Sequence, residues 1–142
     1  MKLIVFRLLP ILIAGVMLLS VSCSGQTMEK TADLGQEVNL QLGQTVSIEG
    51  EPLKVKFVEI VSDSRCPNGA ICIWEGEVVC MIEITYSETM YEKTVIQSGG
   101  TQSPAKDVFQ EYTFTYNVLP YPELDRDTKT SEYHLRLVVN KK

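Results

Sequence analysis

Val78, Cys80, Ile82, Ile84 and Tyr86 share one parity of the run from Glu77 to Tyr86, and Glu77, Met81, Glu83 and Thr85 share the other. Side chains leave a β-strand on alternate sides, so this pattern dictates a strand with one face turned into a core. The same period of two returns along the chain. It marks Val38, Leu40 and Leu42, then Thr45 to Ile48, then Leu53, Val55 and Phe57, and more weakly Tyr91 to Gln97. It is plain again in Tyr112, Phe114, Tyr116 and Val118, and in Tyr133, Leu135, Leu137 and Val139. No stretch after residue 23 holds a helical apolar period. About seven short strands separated by turn signals predict an all-β domain, either a single antiparallel β-sandwich or a partly open barrel.

The punctuation between these runs is specific. Gly43-Gln44 predicts a turn that pairs Glu37 to Leu42 with Thr45 to Ile48 as a first hairpin. The alternation slips at Val58-Glu59-Ile60-Val61, as it does where a β-bulge inserts an extra residue. Ser87-Glu88-Thr89 makes a short turn, Ser98 to Pro104 is the main loop, Pro120 and Pro122 stop the strand before them, and Asp125 to Ser131 is a polar turn.

Residues 1–22 read as a signal peptide. Lys2 and Arg7 give a positive start, and the uncharged apolar run from Leu8 to Leu19 is too short to cross a hydrocarbon core of roughly 30 Å. The run ends in Leu18-Leu19-Ser20-Val21-Ser22-Cys23, which resembles the lipobox of bacterial lipoproteins, in which the cysteine is diacylated and becomes the mature N-terminus. Ser20 and Ser22 also suit an ordinary signal peptidase, which would release the chain as a secreted domain; an uncleaved anchor is the third route. The first two cut before Cys23 and send the chain outside the cytoplasm. Residues 23–35 are then the lipid attachment site and a polar flexible tether, and 36–142 the β-domain.

Removing the leader changes the charge balance. The full chain has 13 Lys and Arg against 18 Asp and Glu; without Lys2 and Arg7 the basic residues number 11, for a net charge of −7. An acidic domain with no basic run argues against nucleic acid as a partner and against electrostatic docking on anionic lipid. Membrane attachment would come from acyl chains on Cys23, and a protein, peptide or glycan remains as a possible ligand.

The stretch from Asp63 to Gly76 concentrates the unusual chemistry. It holds Cys66 and Cys72 around a Pro-Asn-Gly turn, the single Trp of the chain, and Asp63, Arg65 and Glu75. Outside the cytoplasm the two cysteines close a small structural disulfide ring; the competing use, a thiolate metal site, lacks the second close pair that zinc sites usually have. Cys80 is left over on an inward strand face, either as a buried thiol or as part of a rearranged bridge to Cys66 or Cys72. Arg65, Trp74, Asp63 and Glu75 form the candidate binding group, because rigid aromatic and guanidinium groups dominate contact surfaces. The same residues have a purely structural reading, with Trp74 capping the core and Arg65 pairing with Asp63 or Glu75.

Nothing else selects chemistry. His134, the single histidine, points away from the core by alternation and has no nucleophile partner. Asp125, Asp127 and Glu132 hint at a calcium loop, but Lys129 stands where the fifth position needs an oxygen ligand. No pair among the 18 acids is singled out for glycoside chemistry. No catalytic residue, metal ligand or cofactor is therefore assigned.

Asp63-Ser64-Arg65-Cys66-Pro67, followed by Gly69, Cys72, Trp74 and Gly76, resembles the marker of a group of small bacterial lipoproteins of unknown function. The likeness extends to Leu119-Pro120-Tyr121-Pro122 and Tyr133-His134-Leu135 near the end, while Glu75 stands where the group is expected to have a small residue. The resemblance implies a secreted β-domain with one disulfide and brings no activity. A non-catalytic binding module presenting the pinned loop is the leading expectation. A cell-envelope hydrolase with a carboxylate site and a passive structural surface protein are the alternatives.

Overall fold

In a computed structural model, which describes residues 29–100 and 103–142, the chain folds into nine strands in two sheets. In chain order the strands are β1 (Glu29–Ala32), β2 (Glu37–Gln41), β3 (Thr45–Ile48), β4 (Leu53–Asp63), β5 (Glu77–Tyr86), β6 (Thr89–Ser98), β7 (Ala105–Phe109), β8 (Tyr112–Leu119) and β9 (His134–Lys141). The five-stranded sheet has the order β1-β3-β4-β5-β6 and the four-stranded sheet the order β2-β9-β8-β7. The sheets do not close on one another, so the architecture is a sandwich and not a barrel. The expected signal peptide and Cys23 lie outside the described residues.

The alternation becomes the core. Val55, Phe57, Val78, Cys80, Ile82 and Ile84 line the inner face of the five-stranded sheet, and Leu40, Phe114, Val118, Leu135, Leu137 and Val139 line that of the other. All twelve are essentially inaccessible to solvent, and at roughly 25 cal/mol per Å² of apolar surface this face-to-face burial is the main driving term. β6 and β8 are tied across the sandwich by Gln97, whose Nε2 donates to Asn117 Oδ1 (2.7 Å) and whose Oε1 accepts from the Val118 amide (2.8 Å).

Three sequence expectations change. The predicted first hairpin does not exist: β2 pairs with β9 in one sheet, while β3 pairs with β1 and β4 in the other. The turn at Gly43 (φ 80°) carries the chain across the sandwich, and its amide donates to Phe57 O (2.7 Å) in place of closing a local ladder. Alternation states which face of a strand is buried but not which strand lies beside it. Glu29–Ala32, placed in the tether, is a strand parallel to β3 with Ala32 buried. β7 is the second added strand, paired with β8 through a tight turn. Both are sheet edges without a clean apolar alternation: β1 has Ala32 alone, and in β7 Asp107 shares the parity of Ala105 and Phe109 while Val108 falls on the other face.

The predicted slip in β4 is real, with register shifts between Phe57 and Glu59 and between Ile60 and Ser62. Ser87 and Glu88, both at positive φ, form the two-residue turn between β5 and β6.

The register gives the sandwich two distinct ends. At one, β4 ends and β5 begins around the disulfide loop, with Leu119 and His134 at the same level in the other sheet. At the other lie the β5–β6 and β7–β8 turns and the chain's last residues.

Candidate functional site

The loop from Ser64 to Gly76 is held by backbone before any side chain is considered. Ser64 N donates to Glu77 O (2.8 Å), and Cys66 N donates to Glu75 O (2.8 Å), extending the β4–β5 ladder up both limbs. Cys66 and Cys72 are joined, with Cα atoms 6.0 Å apart. Asn68 bridges to the β8–β9 connection, donating to Pro122 O (2.9 Å) and accepting from Leu124 N (3.2 Å). Gly76 has a φ of 70°, and a Cβ there would run into the Ser64 carbonyl, so the limbs close only with glycine at this position.

Arg65 locks the loop to the core. Its side chain is inaccessible, with Nε donating to Asp63 Oδ1 (2.8 Å) and Nη2 to Asp63 Oδ2 (2.6 Å). Nη1 donates to Val118 O (2.8 Å) and Nη2 also to Pro120 O (3.0 Å), while the guanidinium carbon stands 4.9 Å from the centre of the Tyr121 ring. Tyr133 Oη donates to Asp63 Oδ2 (3.0 Å), and burial together with that carboxylate pushes the Tyr133 hydroxyl above its ordinary range. Tyr121 Oη in turn donates to the Gly99 carbonyl. A bidentate ion pair with its remaining donors on carbonyls is the arrangement in which a buried charge is tolerated.

The four candidate binding residues therefore divide. Asp63 and Arg65 are internal and structural, paired with each other. Trp74 is 64% exposed and does not cap the core. Glu75 is exposed, and its Oε2 accepts from Ser98 Oγ (3.1 Å). Beside Trp74, Ile71 and Ile73 are fully exposed, and Leu124 flanks the loop near Gly69 with half its surface in solvent. The sequence reading did not single out the two isoleucines. Their signal was available: Cys66 to Trp74 contains no charged residue, and the two isoleucines flank Cys72, the closing residue of a ring too short to fold its side chains back to the core.

The remaining expectations find plain positions. Cys80 is a free thiol buried within the core, and burial, opposed by the Arg65 charge, pushes it up to about 12. His134 lies half-buried at the start of β9, with Nδ1 3.2 Å from Glu132 O. In the polar turn, Glu132 accepts from the Lys129 amide (2.9 Å) and pairs with Arg126 (2.6 Å), so a cation of the chain itself occupies that carboxylate. Among the described residues no three His, Cys, Asp or Glu side chains converge as metal ligands. Glu29, Glu51 and Glu132 are all held below the usual carboxylate range by donors from Lys54, Lys141 and the Lys129 amide respectively, the direction opposite to that of a general acid.

The disulfide end of the sandwich thus places Ile71, Ile73 and Trp74 in solvent above a buried Arg65–Asp63 pair. Compared with models of protein families, with curated proteins and with solved structures, the chain matches none.

Proposed function

We propose that this domain is a non-catalytic contact module, held outside the cytoplasm by a lipid on Cys23, and that Ile71, Ile73 and Trp74 are its contact residues. One observation carries the reading: three large apolar side chains stand in solvent on a loop whose backbone is fixed at both limbs, across a disulfide and onto the neighbouring connection. Burial of such a side chain is worth about 1.5–3 kcal/mol, a gain left unused here within the fold. A rigid loop also loses little conformational entropy when it binds, and Trp is the residue most enriched at the energetic centre of contacts.

The test is a photo-crosslinking amino acid placed at Ile73 and, as a control, at Glu88 in the exposed turn at the opposite end. In intact envelopes the Ile73 position is expected to form an adduct, with protein, glycan or lipid, that the Glu88 position does not form. Equal labelling from both positions, or none from either, contradicts a contact role for the tip.

A further inference from the structure

The chain's own geometry names the partner of this tip. We infer that it is the bilayer carrying the Cys23 lipid, into whose headgroup and upper acyl region Ile71, Ile73 and Trp74 insert. This rests on the contact reading above and on lipidation of Cys23.

The strand register fixes where the tether enters. Glu29 pairs with Thr45, Thr45 with Lys56, and Lys56 with Glu83, so the first described residue lies level with the middle of β5. β1 runs away from the disulfide end, because β3, to which it is parallel, is antiparallel to β4. The N-terminal end of β1, at Glu29, therefore faces the disulfide side. From Glu83 back to Glu77, where the loop leaves the sheet, is a rise of about 20 Å. From Glu29 back to Cys23 there are six residue steps, with a contour of no more than about 20 Å. A lipidated Cys23 is therefore level with the base of the loop at its farthest, and the tip projects beyond it.

The surfaces select the same pose. The outer face of the five-stranded sheet presents Lys54, Lys56, Glu83 and Glu92, which resist laying that face on lipid. The tip carries no charge from Cys66 to Trp74. Trp prefers the membrane interface, where an apolar ring with one N–H donor is satisfied on both counts. With no basic residue in that stretch, insertion is driven by apolar burial and is insensitive to salt. The acyl chains anchor, and the loop sets the orientation, standing the domain end-on.

Because the chain has one Trp, its fluorescence reports the tip alone. The processed full-length protein, purified from its producing cells and incorporated into phosphatidylcholine vesicles, is compared in lipid with and without bromine on the upper acyl carbons. Mass spectrometry of the same sample reads the modification of Cys23. Bromolipid is expected to quench Trp74 equally at low and high salt, and a variant with Ile71→Asp and Ile73→Asp is expected to lose that quenching while keeping its acyl anchor.

An unlipidated Cys23, or a lipidated protein with water-exposed and unquenched Trp74, overturns the inference. If Trp74 is unquenched while the Ile73 crosslinker captures a protein or glycan in envelopes, the bilayer is the wrong partner and the contact reading stands. If it is unquenched and Ile73 captures nothing, both fall.

Discussion

The two ends of the sandwich solve the same problem in opposite ways. At the end away from the disulfide, rings face inward and charges cover them. Tyr86 packs edge-on against Phe109 and Tyr112, with centroids 6.0 and 6.1 Å away. Tyr112 Oη donates to Glu51 (2.6 Å), Tyr86 Oη donates to Glu111 (3.1 Å), and Lys141 reaches across to Glu51 (2.8 Å). At the disulfide end the order is inverted: the guanidinium of Arg65 and the carboxylate of Asp63 lie inside, and Ile71, Ile73 and Trp74 lie outside. The chain therefore has the means to close an end with polar cover. The tip's exposure follows from a loop whose shape is set by backbone, disulfide and ion pair, with its apolar side chains left over.

The largest consequence concerns Arg65. Arg65→Ala leaves Asp63 buried with, among the described residues, a single remaining side-chain donor, Tyr133, and strips partners from the Val118 and Pro120 carbonyls. A loss of about 3–5 kcal/mol in urea unfolding is expected, as for breaking one side of a buried pair. A loss below about 1 kcal/mol would show that the inside of this end is not what holds it. Next is the disulfide. Replacing Cys66 and Cys72 together by serine frees a ring whose chain-entropy contribution is about 2 kcal/mol, and the unfolding midpoint is expected to fall accordingly. An unchanged midpoint would mean that the limb hydrogen bonds and Asn68 suffice.

The charged end makes a prediction of sign. Glu51 is held below its ordinary value of 4.5, first by the Lys141 hydrogen bond and then by that of Tyr112. A carboxyl whose folded pKa is depressed contributes stability that is present above the unfolded value and is lost as pH falls through the folded one. The stability difference between the wild type and Glu51→Gln is therefore expected to be constant above about pH 5 and to shrink as the pH drops below the 4.5 midpoint. A difference that does not change with pH would contradict the ionised Glu51–Lys141 contact.

How much of this was legible in the sequence depends on what each feature needs. The strands with a full inward face, β5, β8 and β9, were legible because period-two alternation is a local property. The disulfide was legible because five residues between two cysteines close a ring without help from the rest of the fold. The partners of β2 and β3 were not, since a Gly43 turn suits a hairpin and a crossing between sheets equally. β1 and β7 were missed because neither edge strand alternates cleanly: β1 has one apolar residue, and Asp107 interrupts the apolar parity of β7.

Arg65 was the subtlest case. A lone Arg beside a Trp looks like a contact residue until the carbonyls of Val118 and Pro120, more than fifty positions away, are brought onto it. The tip failed for the opposite reason. Ile71 and Ile73 look like core residues, and only their places inside and directly after a small disulfide ring say that no core is within reach.

The smallest expected effect tests the central claim most directly, that the apolar tip serves contact and not folding. Ile71, Ile73 and Trp74 replaced together by serine, and followed in urea by circular dichroism, are expected to leave stability within about 0.5 kcal/mol of the wild type, as surface substitutions do. A loss of about 2 kcal/mol or more would show that these side chains hold the fold together, and the contrast between the two ends would collapse.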